Sequence, residues 1–438
     1  MLARYLRSVL SDYGMLLVLL LLCAACGIAT IADQQPIDSW TADRLAGQIA
    51  AEFPGQNALV VGVDSDDEKA FVALVRAGLQ RREVQVLDAV NGDAVAAGQA
   101  LERAAAAKQK VAVVASSLAA SQWLVYDAKR RKHPELAELR LVAPRVYRWP
   151  TFLMAGNLRN VMDQAAVIAI IAVGMTMVIV SGGIDLSVGS LMACASVITA
   201  LLIQRLSGGS GASWWIMALG ALLAIAACAG AGGLTGSLVT RLHVPPFIVT
   251  LSLMMIASGL AFILSNLQTI PVPEAFKQIG HGKWLGVPIP VIIMLALYFA
   301  AHLVMTRTVF GRHLYAVGGN ERAAQLCGIA VATVRTWAYV LCGALAGLGG
   351  VIETSIYGSG DPKTGGQYEL FVISAVVVGG ASLSGGEGKI FNTLIGSLIL
   401  AVIRNAMNLA NLESNRQRVV LGLVILGAVV LDRVKRKG

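Results

Sequence analysis

Residues 181–189 read SGGIDLSVG and residues 378–386 read VGGASLSGG, so the pattern Gly-Gly-x-x-Leu-Ser-x-Gly occurs twice in one chain. Each copy follows a β-branched apolar run and precedes another apolar segment. Paired glycines allow a helix to end sharply or two backbones to approach closely. The repetition therefore predicts two copies of one helical unit, in the same orientation, within residues 162–265 and 336–432.

The composition around these motifs is typical of a membrane protein. Hydrophobic residues make up 56% of the 438 residues and charged residues 14%, whereas an average soluble domain has about 25% charged residues. A helix needs about 20 apolar residues to cross the hydrocarbon core. We predict ten spans, near residues 14–32, 162–180, 186–205, 213–240, 247–265, 289–306, 336–355, 369–383, 390–411 and 415–432. The run 213–240 is long enough to contain a break, and the run 369–383 is short and rich in glycine.

The excess of positive charge belongs to the apolar part of the chain. Of 35 Lys and Arg and 26 Asp and Glu, residues 33–150 contain 15 basic and 15 acidic residues, which leaves 20 basic and 11 acidic residues elsewhere. Cytoplasmic loops of membrane proteins are enriched in Lys and Arg. The chain is therefore predicted to be a multi-pass membrane protein, in contact with lipid and not with nucleic acid. Residues 307–335 and both termini are predicted to be cytoplasmic.

Residues 33–150 differ from the rest because short β-branched runs alternate with amphipathic helical segments. This alternation predicts a small parallel α/β domain. Because the N-terminus is predicted to be cytoplasmic and one span precedes residue 33, the domain is predicted to be extracytoplasmic. Ser65 or Asp66 is expected to cap its first helix. The predicted domains are 1–32 (cytoplasmic tail and first span, which we expect to remain uncleaved), 33–150, and 151–438 with about nine spans. The fold class is an all-α polytopic membrane protein with about ten transmembrane helices in two parallel pseudo-repeats and an inserted α/β domain.

The second motif is similar to the LSGGQ signature of ATPases, because residues 383–387 read LSGGE and Gly388-Lys389 follow. A phosphate-binding loop requires G-x-x-x-x-G-K-[ST]. Here Leu383 stands where the first glycine is needed, and Ile390 follows the lysine. The chain is therefore not expected to bind ATP. We also find no candidate catalytic residue, metal-binding cluster or bound cofactor.

The fourth position of the repeated motif is Asp185 in the first copy and Ser382 in the second. Both residue types are good N-caps, so we predict that each caps the following helix. A role in a pathway stays open, because ionisable residues near the membrane are often functional. The candidate motif residues are Gly182, Gly183, Asp185, Ser187, Gly379, Gly380, Ser382 and Ser384.

Four stretches together resemble the permease subunits of ribose-, xylose- and galactose-type ATP-binding cassette (ABC) importers. They are GGIDLSVGS (182–190), VPPFIVTLSLMMIASGLA (244–261), VFGRHLYAVGGNERAAQLCGIAV (309–331) and GGASLSGGEG (379–388). The resemblance covers about 157–437. It implies a subunit of the bacterial inner membrane that translocates a pentose, hexose or related polyol and catalyses no covalent chemistry. It also implies a second permease copy, separate ATPase subunits that hold ATP and magnesium, and a periplasmic sugar-binding protein.

Residues 311–329 resemble the cytoplasmic segment of these permeases that docks on the ATPase subunit. The residues themselves indicate a Gly318–Asn320 turn that opens a short helix, with Gly328 just past its end. The alternative is a surface helix that only ties two spans together. The candidate coupling residues are Gly311, Arg312, Gly318, Gly319, Asn320, Glu321, Arg322, Ala323, Ala324 and Gly328. Cys327 departs from the family, which usually has serine there.

Candidate substrate-route residues lie in two spans. Phe247 and Thr250 follow a proline pair that also simply starts a helix well. Arg404, Asn408 and Asn411 fall at i, i+4 and i+7 on one helical face, which suits hydroxyl-rich substrates. Alternatively, Arg404 extends to the outer membrane surface.

The insert of about 118 residues departs from the family, whose members usually have only a short loop there. Its strand-helix rhythm resembles half of a periplasmic sugar-binding protein. Two other functions therefore stay open: a membrane receptor whose extracytoplasmic domain senses a ligand, and a secondary sugar transporter. The lack of a cytoplasmic output domain disfavours the receptor, and the few intramembrane acids disfavour proton coupling.

Overall fold

The computed structural model describes residues 2–34, 37–145, 147–207 and 212–437. The chain divides into two compact units. One contains residues 1–29 and 152–438, and the other contains residues 30–151.

The chain begins with a long helix, and the 30–151 unit then alternates strands and helices. In chain order these elements are α1 (Leu2–Ala29), β1 (Ile31–Gln34), α2 (Ser39–Glu52), β2 (Asn57–Val63), α3 (Asp66–Gln80), β3 (Gln85–Gly92), α4 (Ala94–Ala106), β4 (Val113–Ser116), α5 (Leu118–Ser121), α6 (Val125–Lys132), β5 (Arg140–Val142) and β6 (Tyr147–Pro150).

The 30–151 unit is built on a parallel sheet with strand order β3-β2-β4-β5. Residues 58–62 of β2 are buried because apolar clusters cover both faces of the sheet. One cluster includes side chains of α2 and α3, and the other includes side chains of α4. Helices α2 to α5 begin at side-chain caps. At α3, Ser65, one of the two predicted caps, accepts a hydrogen bond from the Glu68 amide.

A short antiparallel ribbon joins the two ends of this unit. β1 pairs with β6, with Ile31 opposite Pro150 and Gln34 opposite Tyr147. The amide of Thr151 donates to the carbonyl of Thr30 over 2.9 Å. The Gln34 side chain donates to the Trp149 carbonyl and the Thr151 hydroxyl, both over 2.9 Å. The unit therefore starts and ends at neighbouring points.

The remaining elements belong to the larger unit. They are α7 (Ala155–Val180), α8 (Val188–Ser207), α9 (Trp214–Arg241), α10 (Pro246–Leu264), β7 (Ile270–Pro271), α11 (Gln278–His281), β8 (Lys283–Trp284), β9 (Val287–Pro288), α12 (Ile289–Arg307), α13 (Val309–Gly319), α14 (Glu321–Leu326), α15 (Val331–Tyr357), β10 (Ser359–Gly360), α16 (Tyr368–Val378), α17 (Ile390–Leu409) and α18 (Ser414–Lys437).

Each of the ten predicted spans coincides with a helix, although their lengths differ. Within the described residues, seven helices are long and apolar enough to cross a membrane: α7, α8, α9, α10, α12, α15 and α17. The run 213–240 contains no break, because α9 is continuous over 28 residues. The run 369–383 is only partly helical, since α16 has 11 residues and ends at Val378.

The two motif copies pair different helices from those we predicted. The first copy follows α7, the first helix of the 162–265 group, whereas the second follows α16, the second helix of the 336–432 group. The motif therefore matches the pair α7–α8 with the pair α16–α17. The predicted boundaries of the repeats were wrong by one helix.

Helix α7 forms the centre of the larger unit, and α9 crosses α15 through glycines. A Cβ atom on Gly232 would lie 2.2 Å from the Tyr339 carbonyl oxygen, and one on Gly343 would lie 2.3 Å from the Cys228 carbonyl oxygen. Gly232 and Gly236 form a G-x-x-x-G pattern on α9, as Gly343 and Gly347 do on α15. Such small residues let membrane helices approach closely.

We expect Gly232→Ala to destabilise the protein, whereas Gly230→Ala should not. The first methyl group would collide with the backbone of α15, and overpacking costs roughly 1–3 kcal/mol. The second would meet no atom within 4 Å, and alanine favours a helix over glycine by about 1 kcal/mol. Thermal unfolding of the detergent-purified variants checks this. Equal melting temperatures would contradict the proposed crossing.

Candidate functional site

The first motif copy ends α7 with a left-handed glycine. Gly182 has φ +84°, and its amide donates to the Ile179 carbonyl while the Gly183 amide donates to the Val178 carbonyl, both over 2.9 Å. These two bonds form a Schellman motif, which satisfies the last carbonyls of a helix. A side chain on Gly183 would also collide with Tyr339, whose hydroxyl would be 2.5 Å from the added Cβ.

The second copy ends α16 in the same way, but one residue later in the motif. Gly379 is the C-cap, and Gly380 has φ +85°. The Gly380 amide donates to Val377 over 2.8 Å, and the Ala381 amide donates to Val376 over 3.1 Å. Gly380 is therefore the structural counterpart of Gly182, whereas the sequence alignment pairs Gly182 with Gly379.

Asp185 and Ser382 play equivalent local roles, but they are not the predicted helix caps. The Ser187 amide donates to Asp185 Oδ1 over 2.8 Å, and the Ser187 hydroxyl donates to the same atom over 2.6 Å. In the second copy the Ser384 amide donates to Ser382 Oγ over 3.2 Å. Both side chains thus cap an amide two residues ahead and hold the loop. The N-cap prediction was wrong, because α8 starts only at Val188 and α17 at Ile390.

Three backbone segments converge where the two motif copies meet α13. The Gly386 amide of the second copy donates to the Val180 carbonyl at the end of α7 over 2.9 Å. A Cβ on Gly318, in α13, would lie 1.7 Å from that carbonyl oxygen. A Cβ on Gly385 would lie 2.8 Å from the Gly318 carbonyl oxygen. No side chain fits at Gly318 without displacement of at least one segment.

The predicted coupling segment forms two short helices. Gly318 and Gly319 are the last residues of α13, not a turn as predicted, and the chain bends at Asn320. The Asn320 side chain accepts a 2.9 Å bond from the Ala323 amide and caps α14. Gly328 follows that helix with φ +78°. Tyr315 ties α13 to the second copy, because its hydroxyl donates to the Gly388 carbonyl over 2.5 Å; burial raises the pKa of this hydroxyl, which stays a neutral donor.

The two sides of this coupling segment differ in their contacts. Gly311 and Ala324 are buried against the chain itself. They therefore cannot belong to an outer docking face. Leu326 is 89% exposed, a residue that sequence reasoning did not select. The predicted residues that are exposed are Arg312, Gly319, Asn320, Arg322, Ala323 and Gly328.

Arg335 links α14 to the first motif copy. Its Nη2 atom lies 2.9 Å from Glu321 Oε2, and its Nε atom donates to the Ser181 carbonyl over 3.0 Å. The side chain is 18% exposed, against 43% for Glu321. One arginine thus holds a coupling residue and the C-cap of α7 together. From the sequence, Arg335 was only one of the charges in the basic segment 307–335. Its contact with Ser181 could not be predicted, because the two residues are 154 positions apart.

The candidate substrate-route residues do not form one site. Thr250 is buried, and its hydroxyl donates to the Pro246 carbonyl of its own helix. Phe247 is exposed on α10. Arg404 and Asn408 line one cavity of α17, whereas Asn411 lies past the end of α17 with φ +53°. Within the described ranges, no group of three His, Cys, Asp or Glu side chains is arranged to hold a metal ion.

The chain is similar in sequence to known membrane permeases. Residues 157–429 match the family described as branched-chain amino acid transport system / permease component. The ribose import permease protein RbsC of Escherichia coli (strain K12) is 41% identical over 292 residues, which is 66% of this chain and 88% of that protein. The RbsC protein of Bacillus subtilis (strain 168) is 41% identical over 289 residues, or 65% and 87% of the two chains.

A third relative is named for a different sugar. The L-arabinose transport system permease protein AraH of Escherichia coli (strain K12) is 38% identical over 289 residues, 66% of this chain and 86% of that protein. No solved structure matches the chain. The matched family region and these relatives establish that the chain belongs to the ABC transporter permease family that includes the ribose and L-arabinose import permeases, as a non-catalytic membrane subunit.

Proposed function

We propose that this chain is the translocation subunit of an importer for a pentose, hexose or related polyol, driven by ATP hydrolysis on separate subunits. The observation that carries the mechanism is the convergence of Gly318, Val180 and Gly386. A force on α13 and α14 acts directly on the loops that end α7 and α16, because their backbones are in contact. Two motif loops would then move together when the ATPase subunits close.

The ATPase subunit is proposed to dock on the exposed side of α14. Arg322, Ala323 and Leu326 are exposed there, and Asn320 fixes where the helix starts. An exposed leucine beside a charged residue and a small residue provides an apolar anchor with a polar rim, as protein interfaces commonly have. ATP and magnesium would be held by that partner and not by this chain. On this arrangement, α14, both termini and the loop 307–335 are cytoplasmic.

A second copy of the permease is proposed to pack beside the first. Helix α10 presents a row of exposed apolar side chains, and Met255 and Ile263 are 70% and 71% exposed. By contrast, 89% of the most apolar 18-residue stretch of α7 is buried. Lipid would cover the rest of the apolar surface. Residues 30–151 would lie outside the membrane, where they could receive a periplasmic sugar-binding protein.

Uptake into membrane vesicles tests the proposed function. Vesicles that contain this chain and its ATPase subunits should accumulate D-ribose or another probed sugar only with ATP, and the sugar-binding protein should raise the rate. Transport that persists after every ATPase subunit is removed would contradict ATP-driven import and favour a secondary transporter.

We expect Ala323→Arg and Leu326→Arg each to weaken ATPase association by about tenfold or more. An arginine would leave a charge in a closely packed contact, and a desolvated unpaired charge costs several kcal/mol. The matched control is Ala107→Arg, which adds the same side chain at an exposed position of the 30–151 unit. Co-purification of the ATPase subunit with each variant measures the effect. Equal recovery with all three variants would contradict docking on α14.

A further inference from the structure

The chain between α15 and α16 is not helical, and it packs among the apolar helices: a Cβ atom on Gly365 would lie 2.4 Å from the Gly189 carbonyl oxygen of α8. Helix α15 ends at Tyr357, α16 begins at Tyr368, and the short strand β10 is the one regular element between them. Backbone groups cannot be left unpaired in hydrocarbon. Irregular backbone at membrane depth therefore occurs where protein buries it or where it lines a cavity. Broken helices of this kind often form substrate sites in transporters.

Two adjoining cavities lie beside this irregular segment. One, of about 470 Å³, is lined by Ser359, Asp361, Lys363, Thr364, Gly365 and Gly366. The other, of about 270 Å³, is lined by Asp163, Gln164 and Asn408. Glu353, Tyr357, Tyr368 and Arg404 line both cavities. We call these two spaces the α15–α16 cavity. It brings together residues of α7, α15, α16 and α17, which are far apart in sequence.

The polar groups of the α15–α16 cavity are buried and only partly paired. Glu353 is 5% exposed, and one of its carboxylate oxygens accepts a 2.6 Å bond from the Tyr368 hydroxyl. Among the described residues, Asp163 Oδ1 and Gln164 Oε1 are buried without a hydrogen-bond partner. Buried polar atoms are nearly always paired with protein, water or ligand. Asp163 and Gln164 thus add polar side chains that are not fully paired among the described residues to the lining of the cavity.

The lining of the cavity offers both hydrogen-bond acceptors and hydrogen-bond donors to a ligand. The acceptors are carboxylate and amide oxygens, and the guanidinium of Arg404 is a fork of donors, held 5.5 Å from the centre of the Phe371 ring. Hydroxyl groups both donate and accept, so a polyhydroxylated molecule matches this set. A metal ion fits it poorly, because Arg404 shares the space and the described residues offer no three-ligand group.

We propose that the α15–α16 cavity is a binding site for a sugar or related polyol within the permease itself. Glu353, Asp163 and Gln164 accept hydrogen bonds from ligand hydroxyls, and Arg404 donates to hydroxyl oxygens. Tyr357, which is 70% exposed, stands at the mouth. This inference deepens the proposed function and rests on it.

Sugar uptake by the complete importer tests the site, with D-ribose and L-arabinose as probes. Glu353→Gln, Asp163→Asn and Arg404→Lys should each raise KM by about tenfold, because each removes a hydrogen bond to or from a charged group. The matched controls are Glu413→Gln and Arg416→Lys, whose side chains are 74% and 72% exposed. The controls should leave KM unchanged. ATPase activity without sugar should remain as in the wild type for both control variants.

A second measurement covers any variant that folds poorly. Equilibrium binding of tritiated D-ribose and L-arabinose to the purified full-length permease should be saturable for at least one sugar, and Arg404→Lys should weaken it. If the wild-type importer transports no pentose, hexose or polyol with ATP and its partners present, the proposed function fails. If the wild type transports sugar while the three cavity variants keep its KM and its binding, the cavity proposal is overturned and the proposed function stands.

Discussion

Gly318→Ala should reduce sugar uptake by about tenfold or more, because overpacking costs roughly 1–3 kcal/mol and each 1.4 kcal/mol is a factor of ten. The added methyl group would lie 1.7 Å from the Val180 carbonyl oxygen and 2.6 Å from the Gly386 amide nitrogen. It must push α13 away from both motif loops. Uptake by the complete importer measures the effect, and abundance in the membrane shows whether the variant is made.

The adjacent glycine provides a matched control. Gly319→Ala adds the same methyl group to the same helix, but no atom lies within 4 Å of that position. We expect its uptake to equal that of the wild type. If Gly318→Ala also transported normally, α13 would not act on the motif loops through this contact, and the proposed mechanical link would be wrong.

Arg335→Gln should separate ATP hydrolysis from transport. The substitution removes the ion pair with Glu321 and the bond to the Ser181 carbonyl, so α14 is no longer tied to the end of α7. Breaking a partly buried charged pair by removing one partner costs about 3–5 kcal/mol at most, and less where solvent reaches the pair. We therefore expect more ATP hydrolysed per sugar molecule transported, with ATPase association retained.

Two comparisons make this prediction specific. Glu321→Gln should have a smaller effect of the same kind, and the double variant should be no worse than Arg335→Gln, since both substitutions break one link. Arg307→Gln removes an exposed arginine at the end of α12 and should behave as the wild type. A loss of ATPase association in Arg335→Gln would instead assign this arginine to docking.

Periodicity and composition predicted the helices but not how they meet. Each of the ten predicted apolar runs coincides with a helix, because length and hydropathy are local properties of the chain. The extent of α16 could not be predicted in this way, since the segment before it is held by α8, where the Ser196 hydroxyl accepts a 3.2 Å hydrogen bond from the Asp361 amide. The 30–151 unit shows the same limit: its parallel strands follow from alternating patterns, whereas α2 and the ribbon β1–β6 were missed.

The candidate site was predicted in its parts and not in its geometry. Asn320 and Gly328 carry local backbone signals, so the short helix between them could be placed. Gly318 was predicted to be part of a turn. Its close contact with Val180 joins segments about 140 residues apart, and such a contact leaves no local pattern in the sequence. Arg335 and Asp163 were missed for the same reason, because the sequence around a charged residue does not indicate which distant residue it contacts. Ala324 was assigned to the docking surface because a six-residue helix has no periodicity that distinguishes its buried side.

The ribbon of β1 and β6 has an evolutionary and practical consequence. Because Thr30 and Thr151 are hydrogen-bonded neighbours, the intervening segment enters and leaves at one place, as expected for a module gained by insertion into an exposed loop. The gene could therefore be shortened by joining residue 30 to residue 151 through a brief glycine-serine connection. The resulting chain would have the layout of a permease with a short loop. In the full-length chain, the sequence of the inserted module could change during evolution without altering the course of the permease chain.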